Sequence, residues 1–376
     1  MRVDRLTLTS FRSYESLDVS FPTGPQVVVG QNATGKTNLL ESIVVLGTSR
    51  SHRASNDGEL LSWGADFARL GAALGGTADG RADNRVEVVI ERSGTGGGRK
   101  RVLVNGVARR PTALAAALPV VLFAPEDMLL VVGSPGGRRN SLDALVVQTV
   151  PAAGATMSNY GRALTQRNNL LRAIREGSAA PDELRYWDGV VIDDGAQIVD
   201  WRRAAIEQLC GPLSDAHREI APAEEPVALR YLTNAAPLDG EATRDALRRR
   251  LSDTSEKELW NGATLIGPHR DDVAFVSGER ELSTFASRGQ QRTAILAYKL
   301  AQLDLLTHTG GQPPLLLLDD VFSELDPDRR AHLVRRIGAL PQAFVTTTTT
   351  DDLDPALVAA STVWEVTPGQ LRRGAA

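Results

Sequence analysis

Apolar positions change their spacing three times along this chain. Leu6 and Leu8, then Leu17, Val19 and Phe21, alternate with polar neighbours around the polar turn Arg12 to Glu15, which predicts two strands feeding a third, Gln26 to Val29. Asn38 to Ile43 then takes helical spacing. Val86 to Ile90 and Arg101 to Val104 predict a hairpin with a loose tip at Gly94 to Gly98, and Pro119 to Asp127 a buried strand ending in a polar turn. From about Asn140 to Asn261 the pattern is helical, in stretches such as Met157 to Glu176 and Leu184 to Leu209, with breaks expected near Pro181, Pro212 and Pro222 to Pro226. Those prolines interrupt any sustained heptad, so no long coiled-coil arm is expected. Strand and helix alternate again through Leu315 to Asp320 and Ala343 to Thr347. The predicted class is α/β: a head built from both chain ends, residues 1–135 and 263–376, with a mainly helical lobe, 136–262, inserted between them.

Composition narrows the setting. With 376 residues, 42% apolar and 23% charged, the chain can bury a large core and exceeds the usual size of one domain. A net charge of -4 excludes a uniformly basic nucleic-acid coat but permits a local arginine patch. Cys210 is the only cysteine, which rules out an intramolecular disulfide or a thiolate cluster. The start, Met1 to Arg5, has no apolar signal core, and no apolar run nears the roughly 20 residues that span a bilayer, so a cytoplasmic protein without a membrane partner is expected.

Gly30-Gln31-Asn32-Ala33-Thr34-Gly35-Lys36-Thr37 is a complete P-loop between a strand and a helix. Its glycines let the backbone wrap a phosphate, the loop and helix N–H groups face the anion, Lys36 supplies charge and Thr37 offers a hydroxyl to Mg2+. The chain has only four lysines, Lys36, Lys100, Lys257 and Lys299, so one at this position is not filler. Leu315 to Asp320 is an apolar run closed by two carboxylates; with a P-loop upstream it reads as a Walker B strand. Asp319 then shares the metal with Thr37, and Asp320 orients or deprotonates the attacking water. Ser287, Gly289 and Gln290 open another helix and form a second anion cradle, which a single P-loop domain does not need for its own nucleotide. A plain helix cap is the other reading of these three residues.

P-loop, degenerate signature at Ser287 to Gln291, Walker B strand and D-loop at Ser323 to Asp326 follow the order of the ABC-type ATPases, which the chain resembles. In that superfamily two heads sandwich two nucleotides, each P-loop facing the other's signature. The resemblance therefore implies ATP as cofactor and an ATP-dependent homodimer. The opening, Leu8 to Tyr14 through Asn38 to Ile43, is similar to the branch that includes the SMC proteins, where an arginine matching Arg12 contacts nucleotide. Ser51-His52-Arg53, Phe123 to Asp127 with Arg138-Arg139, and Gly267 to Asp272 resemble the RecF family of recombination mediators. That resemblance runs nearly end to end and is weakest from Pro222 to Asp239. It implies a cytoplasmic, nucleoid-associated ATPase of recombinational repair that binds duplex DNA near gaps and works with RecO and RecR-type mediators to load recombinase.

Two departures imply slow hydrolysis. Many ABC proteins place glutamate after the Walker B aspartate and histidine on a later strand, where this chain has Asp320 and Thr346 to Thr350. Misplacing a catalytic group by one methylene can cost about 100-fold in rate. The threonines are also compatible with simple strand filling. Arg12 suits a solvated turn as well as a nucleotide contact, and His269 with Arg270 suits a satisfied turn as well as a phosphate site. Arg50, Arg53, Arg138 and Arg139 are candidates for DNA phosphates or for surface ion pairs. A transporter's soluble ATPase subunit and a P-loop kinase for a small substrate remain as competing functions.

Overall fold

Five consecutive buried residues, Leu315 to Asp319, form a strand with neighbours on both sides, as an unbroken apolar run requires. The computed structural model describes residues 1–76, 84–93 and 98–374. In chain order the strands are β1 (Arg2–Phe11), β2 (Tyr14–Ser20), β3 (Gly24–Val29), β4 (Phe67–Gly75), β5 (Asn84–Arg92), β6 (Gly98–Val104), β7 (Val107–Arg109), β8 (Val120–Phe123), β9 (Val227–Leu232), β10 (Asp272–Ser277), β11 (Arg280–Glu281), β12 (Leu315–Asp319), β13 (Gln342–Thr347), β14 (Thr362–Thr367) and β15 (Gln370–Arg373). They make three sheets. One is antiparallel, ordered β2-β1-β4-β5-β6-β7; one, ordered β15-β14-β3-β13-β12-β8, is parallel except for the edge strand β15; the third is β11-β10-β9.

The chain divides into two compact units. The first comprises Met1–Met128, Pro212–Pro226 and Ser287–Ala376; the second, Leu129–Gly211 and Val227–Ala286. In the first unit, the helix Lys36–Thr48 buries ten of its thirteen residues and packs against strands of both large sheets. Leu39, Leu40, Ile43 and Leu46 are fully buried in one core with Leu6, Leu8 and Leu70 of one sheet and Leu315, Leu317 and Phe344 of the other. Each such side chain contributes about 1.5–3 kcal/mol. Gly47 permits the close approach, since a Cβ there would lie 2.0 Å from Val120 Cγ2. A buried amide ties the two large sheets together, since Gln342 on β13 accepts from Val3 N and donates to Val3 O on β1, while within the parallel sheet Gln26 on β3 accepts from Trp364 Nε1 of β14. Paired in this way, the buried amides avoid the desolvation cost that unpaired ones would carry.

The second unit is mainly helical, with Pro135–Thr149, Ala153–Arg175, Thr243–Asp253 and the residues of Leu184–Ile220 up to Gly211, and it also contains the sheet of β9, β10 and β11. Arg202 is 4% exposed and forks onto Asp143 at 2.7 and 2.8 Å, while Arg167 pairs with the fully buried Glu258 at 2.8 Å. No helix among the described residues is long and apolar enough to cross a membrane.

Four expectations change. The second boundary moves from 262 to 286, because β10 pairs with β9 along six residue pairs and holds residues 263–286 in the second unit. Residues 212–226 belong to the first unit, where Glu219 meets His332 and Glu224 meets Arg329. Pro212 does not end its helix. An interior proline costs about 3 kcal/mol, and the buried series Leu209, Leu213, Ala216 and Ile220 across it offsets that cost. Tyr14, expected in a polar turn, is fully buried; β1 and β2 lead into β3 as expected and pair in the other large sheet. The β5–β6 hairpin is present; residues 94–97 of its expected tip lie outside the described residues.

Candidate nucleotide site

The P-loop leaves the carboxyl end of β3, and the Walker B acids stand at the carboxyl end of β12, one strand away across β13. In open α/β sheets this edge is where ligands bind. Gly35 caps the following helix in the left-handed region at φ 113°, and a Cβ there would lie 2.8 Å from Ser13 Oγ. Gly30 is confined in the same way, with Thr34 Oγ1 and Val366 O each 2.8 Å from an added Cβ. Both positions therefore require glycine. Tyr14 donates its hydroxyl to Gly35 O at 3.0 Å, which explains a buried tyrosine beside the loop.

Lys36 Nζ donates to Gly30 O at 2.6 Å and Gln31 O at 3.0 Å, drawing the loop around its own ammonium, while Gln31, Asn32 and Ala33 are exposed at the tip. Burial pushes the Lys36 pKa down from its ordinary value, and the charges of Asp320 and Asp319 oppose that shift. Thr37 donates to Asp319 Oδ1 at 3.1 Å, and Thr346 on β13 donates to the same oxygen at 2.6 Å. Thr346 Oγ1 also accepts from Asp320 N at 3.0 Å, and Asp320 sits in the left-handed region at φ 51°. A hydroxyl and a carboxylate brought together this way are the hard oxygen donors that Mg2+ takes, so the residues fit that ion. Thr346 was foreseen only as one of a run; parallel register, which pairs it with Asp319, is what singles it out.

Arg12 is half-buried and tied down rather than free in its turn. Its guanidinium forks onto the fully buried Glu41 at 2.8 Å through two nitrogens and donates to Glu59 O at 2.8 Å. Glu41, four residues after Thr37, also accepts from Ser51 Oγ. Burial pushes Glu41 up, but the hydrogen bonds of Arg12 and Ser51 prevail and hold its pKa below the ordinary carboxylate value. Sequence patterning gave no sign of Glu41, because a charged residue in a helix is ordinarily exposed.

Ser287, Gly289 and Gln290 stand apart on the helix Arg288–Gly310. Ser287 is its N-cap: Oγ accepts from Gln290 N at 3.3 Å, and Ser287 N donates to Gln290 Oε1 at 3.0 Å. A capping box therefore uses the Gln290 side chain. Asp326 likewise caps Pro327–Gly338, accepting from Arg329 N. Arg50 and Arg53 are exposed. In the second unit Arg138 forks onto Asp272 at 2.8 Å and Arg139 donates to Asp271 O at 2.6 Å, so both make internal contacts. His269 Nδ1 lies 2.7 Å from Tyr160 Oη, and Arg270 donates to Thr264 O, the arrangement of a satisfied turn.

A P-loop and a Walker B aspartate separated by one strand in a parallel sheet, with an antiparallel sheet over the P-loop helix, define an ABC-type ATPase head. Comparison with known proteins carries this to a family. Residues 2–369 match the family model of the RecF/RecN/SMC N-terminal domain. A DNA replication and repair protein RecF from Halalkalibacterium halodurans is 36% identical over 99% of this chain and 100% of its own length. The solved structure of the recombination mediator protein RecF with ATP, in the RecFOR pathway, superposes with a TM-score of 0.89 at 28% identity, covering 99% of this chain and 97% of that one. An Smc head domain from Pyrococcus furiosus shares the fold alone, with a TM-score of 0.53 at 14% identity over 98% of this chain and 95% of that one. The chain belongs to the RecF family of DNA replication and repair proteins.

Proposed function

We propose that this chain is an ATP-controlled clamp of recombinational DNA repair, in which two copies close on ATP and grip duplex DNA beside a single-strand gap. The observation that carries the reading is the hydrogen-bonded set Thr37, Asp319 and Thr346 next to Lys36, a phosphate-and-metal corner at a sheet's carboxyl edge. Residues Gly30 to Thr37 wrap the triphosphate and Lys36 bonds its outer phosphates. Thr37 and Asp319 would hold Mg2+, which would supply positive charge beside the transferred group. Asp320 orients the attacking water, Arg12 borders the nucleotide, and Ser287, Gly289 and Gln290 of a second copy complete the far side. The RecF–ATP structure supports ATP as the ligand, and its pathway supports RecO and RecR-type partners.

Hydrolysis serves as a timer. The short Asp320 side chain favours turnover well below the roughly 10 per second of a median enzyme, so the clamp opens slowly. Exposed Arg50 and Arg53 suit phosphate contacts, which need no base sequence. Sedimentation with ATP, Mg2+ and a gapped duplex tests the reading: the chain should run as a dimer, and Lys36→Met or Ser287→Arg should each leave it monomeric. A dimer that survives both changes would overturn the two-headed sandwich.

A further inference from the structure

The loop that follows the P-loop helix contains an imidazole with no assigned task. Ser51 Oγ donates to Glu41 Oε1 and accepts from Arg53 N at 2.9 Å and Ala54 N at 2.8 Å, which clamps the loop's inner side to that helix. Between these anchors, both ring nitrogens of His52 are buried and neither has a hydrogen-bond partner among the described residues. Leaving a buried polar group unpaired costs about 1–3 kcal/mol, so an imidazole with two such atoms is an expensive choice unless something else pairs with it.

Its surroundings narrow what that partner is. The ring lies in the electrostatic field of Glu41, Glu126, Asp319 and Arg53. A neutral imidazole offers one N–H and one lone pair. Carboxylates can take the N–H but cannot donate to the lone pair, and Arg53, the one cation among these four groups, is exposed. A water molecule can donate to it, and one bound to a divalent cation donates more strongly because the cation polarises its O–H bonds; Mg2+ at nucleotide sites keeps several such waters.

We propose that His52 is an outer-shell positioning residue of the nucleotide-site metal, hydrogen-bonding a cation-bound water near Asp319. The proposal rests on Thr37 and Asp319 holding Mg2+ under the proposed function, and it adds a residue outside the P-loop and Walker B segments. Outer-shell partners of this kind typically change metal affinity by 10–100-fold when removed.

Mn2+ binding to the chain with a non-hydrolysable ATP analogue, followed by electron paramagnetic resonance, tests this. Wild-type protein should bind Mn2+; if it does not, the metal assignment of Thr37 and Asp319 fails first, separately from the claim about His52. With wild-type binding in hand, His52→Phe should weaken Mn2+ affinity at least 10-fold while nucleotide affinity in EDTA stays within two-fold. His52→Gln, which keeps a donor and an acceptor, should recover most of the loss. His52→Phe should also melt no lower than wild type, since it removes two unpaired polar atoms. Unchanged Mn2+ affinity in His52→Phe, or an equal loss of nucleotide affinity in EDTA, would overturn the proposal.

Discussion

His269 shows how a residue that looks functional in sequence can be structural. Burial, and then the charges of Arg270, Arg139 and Arg167, push its pKa down to about 4, against an ordinary value near 6.5. Above pH 6.5 the ring is neutral whether the chain is folded or not. Between pH 6.5 and 4 the unfolded chain takes a proton that the native chain refuses, so stability falls with pH until the native ring also titrates. The loss is at most about 3 kcal/mol. Urea unfolding from pH 7 to 4 should show it, and His269→Asn should flatten that part of the curve. Asp271, whose pKa burial raises, titrates nearby in the opposite sense, so the variant must be read against wild type. An identical pH slope in both proteins would remove the imidazole from the account. The motif Gly267 to Asp272 was legible as unusual, but its role was not, because the partner hydroxyl on Tyr160 lies 109 residues away.

At the level of elements, the nucleotide segments were the legible part. A strand, loop and helix around Lys36, and an apolar run ending at Asp319, each announce themselves within a few residues. The register that places Thr346 beside Asp319, and the pairing of Arg12 with Glu41, involve partners 27 and 29 residues apart and leave no local pattern. The helix Arg288–Gly310 poses a sharper question, since its first turn forms a capping box and is also the anion cradle proposed for a second copy's nucleotide. Two substitutions separate these roles. Ser287→Ala should cost about 1 kcal/mol of stability through the lost cap. Ser287→Asp keeps a capping oxygen, so chemical unfolding should move by less than about 0.5 kcal/mol, yet it places a carboxylate where a partner's phosphate is expected. If Ser287→Asp still dimerises on ATP, the serine acts only as a cap.

For the whole molecule, a head made of two chain ends around one insertion would leave a self-sufficient first unit when the insertion is cut out. The observed division argues otherwise. The first unit takes back residues 212–226, whose Glu219 lies 3.6 Å from His332 and Glu224 3.9 Å from Arg329, on the helix that follows the D-loop. Leu213, Ala216 and Ile220 of that segment are buried as well. Burial of the two larger side chains alone contributes about 3–6 kcal/mol, a large share of the roughly 5–15 kcal/mol that holds a domain together. A chain in which a flexible linker replaces all of residues 129–286 should therefore unfold at a distinctly lower guanidinium midpoint than one that deletes 129–211 and 227–286 but keeps 212–226. Glu219→Ala with Glu224→Ala should account for little of that gap, since the partly exposed Glu224–Arg329 pair contributes at most about 1 kcal/mol and burial pushes the His332 pKa down, which weakens the charge that Glu219 meets. Equal midpoints for the two deletions would mean that the returning segment is a passenger and that the simpler two-ended head suffices.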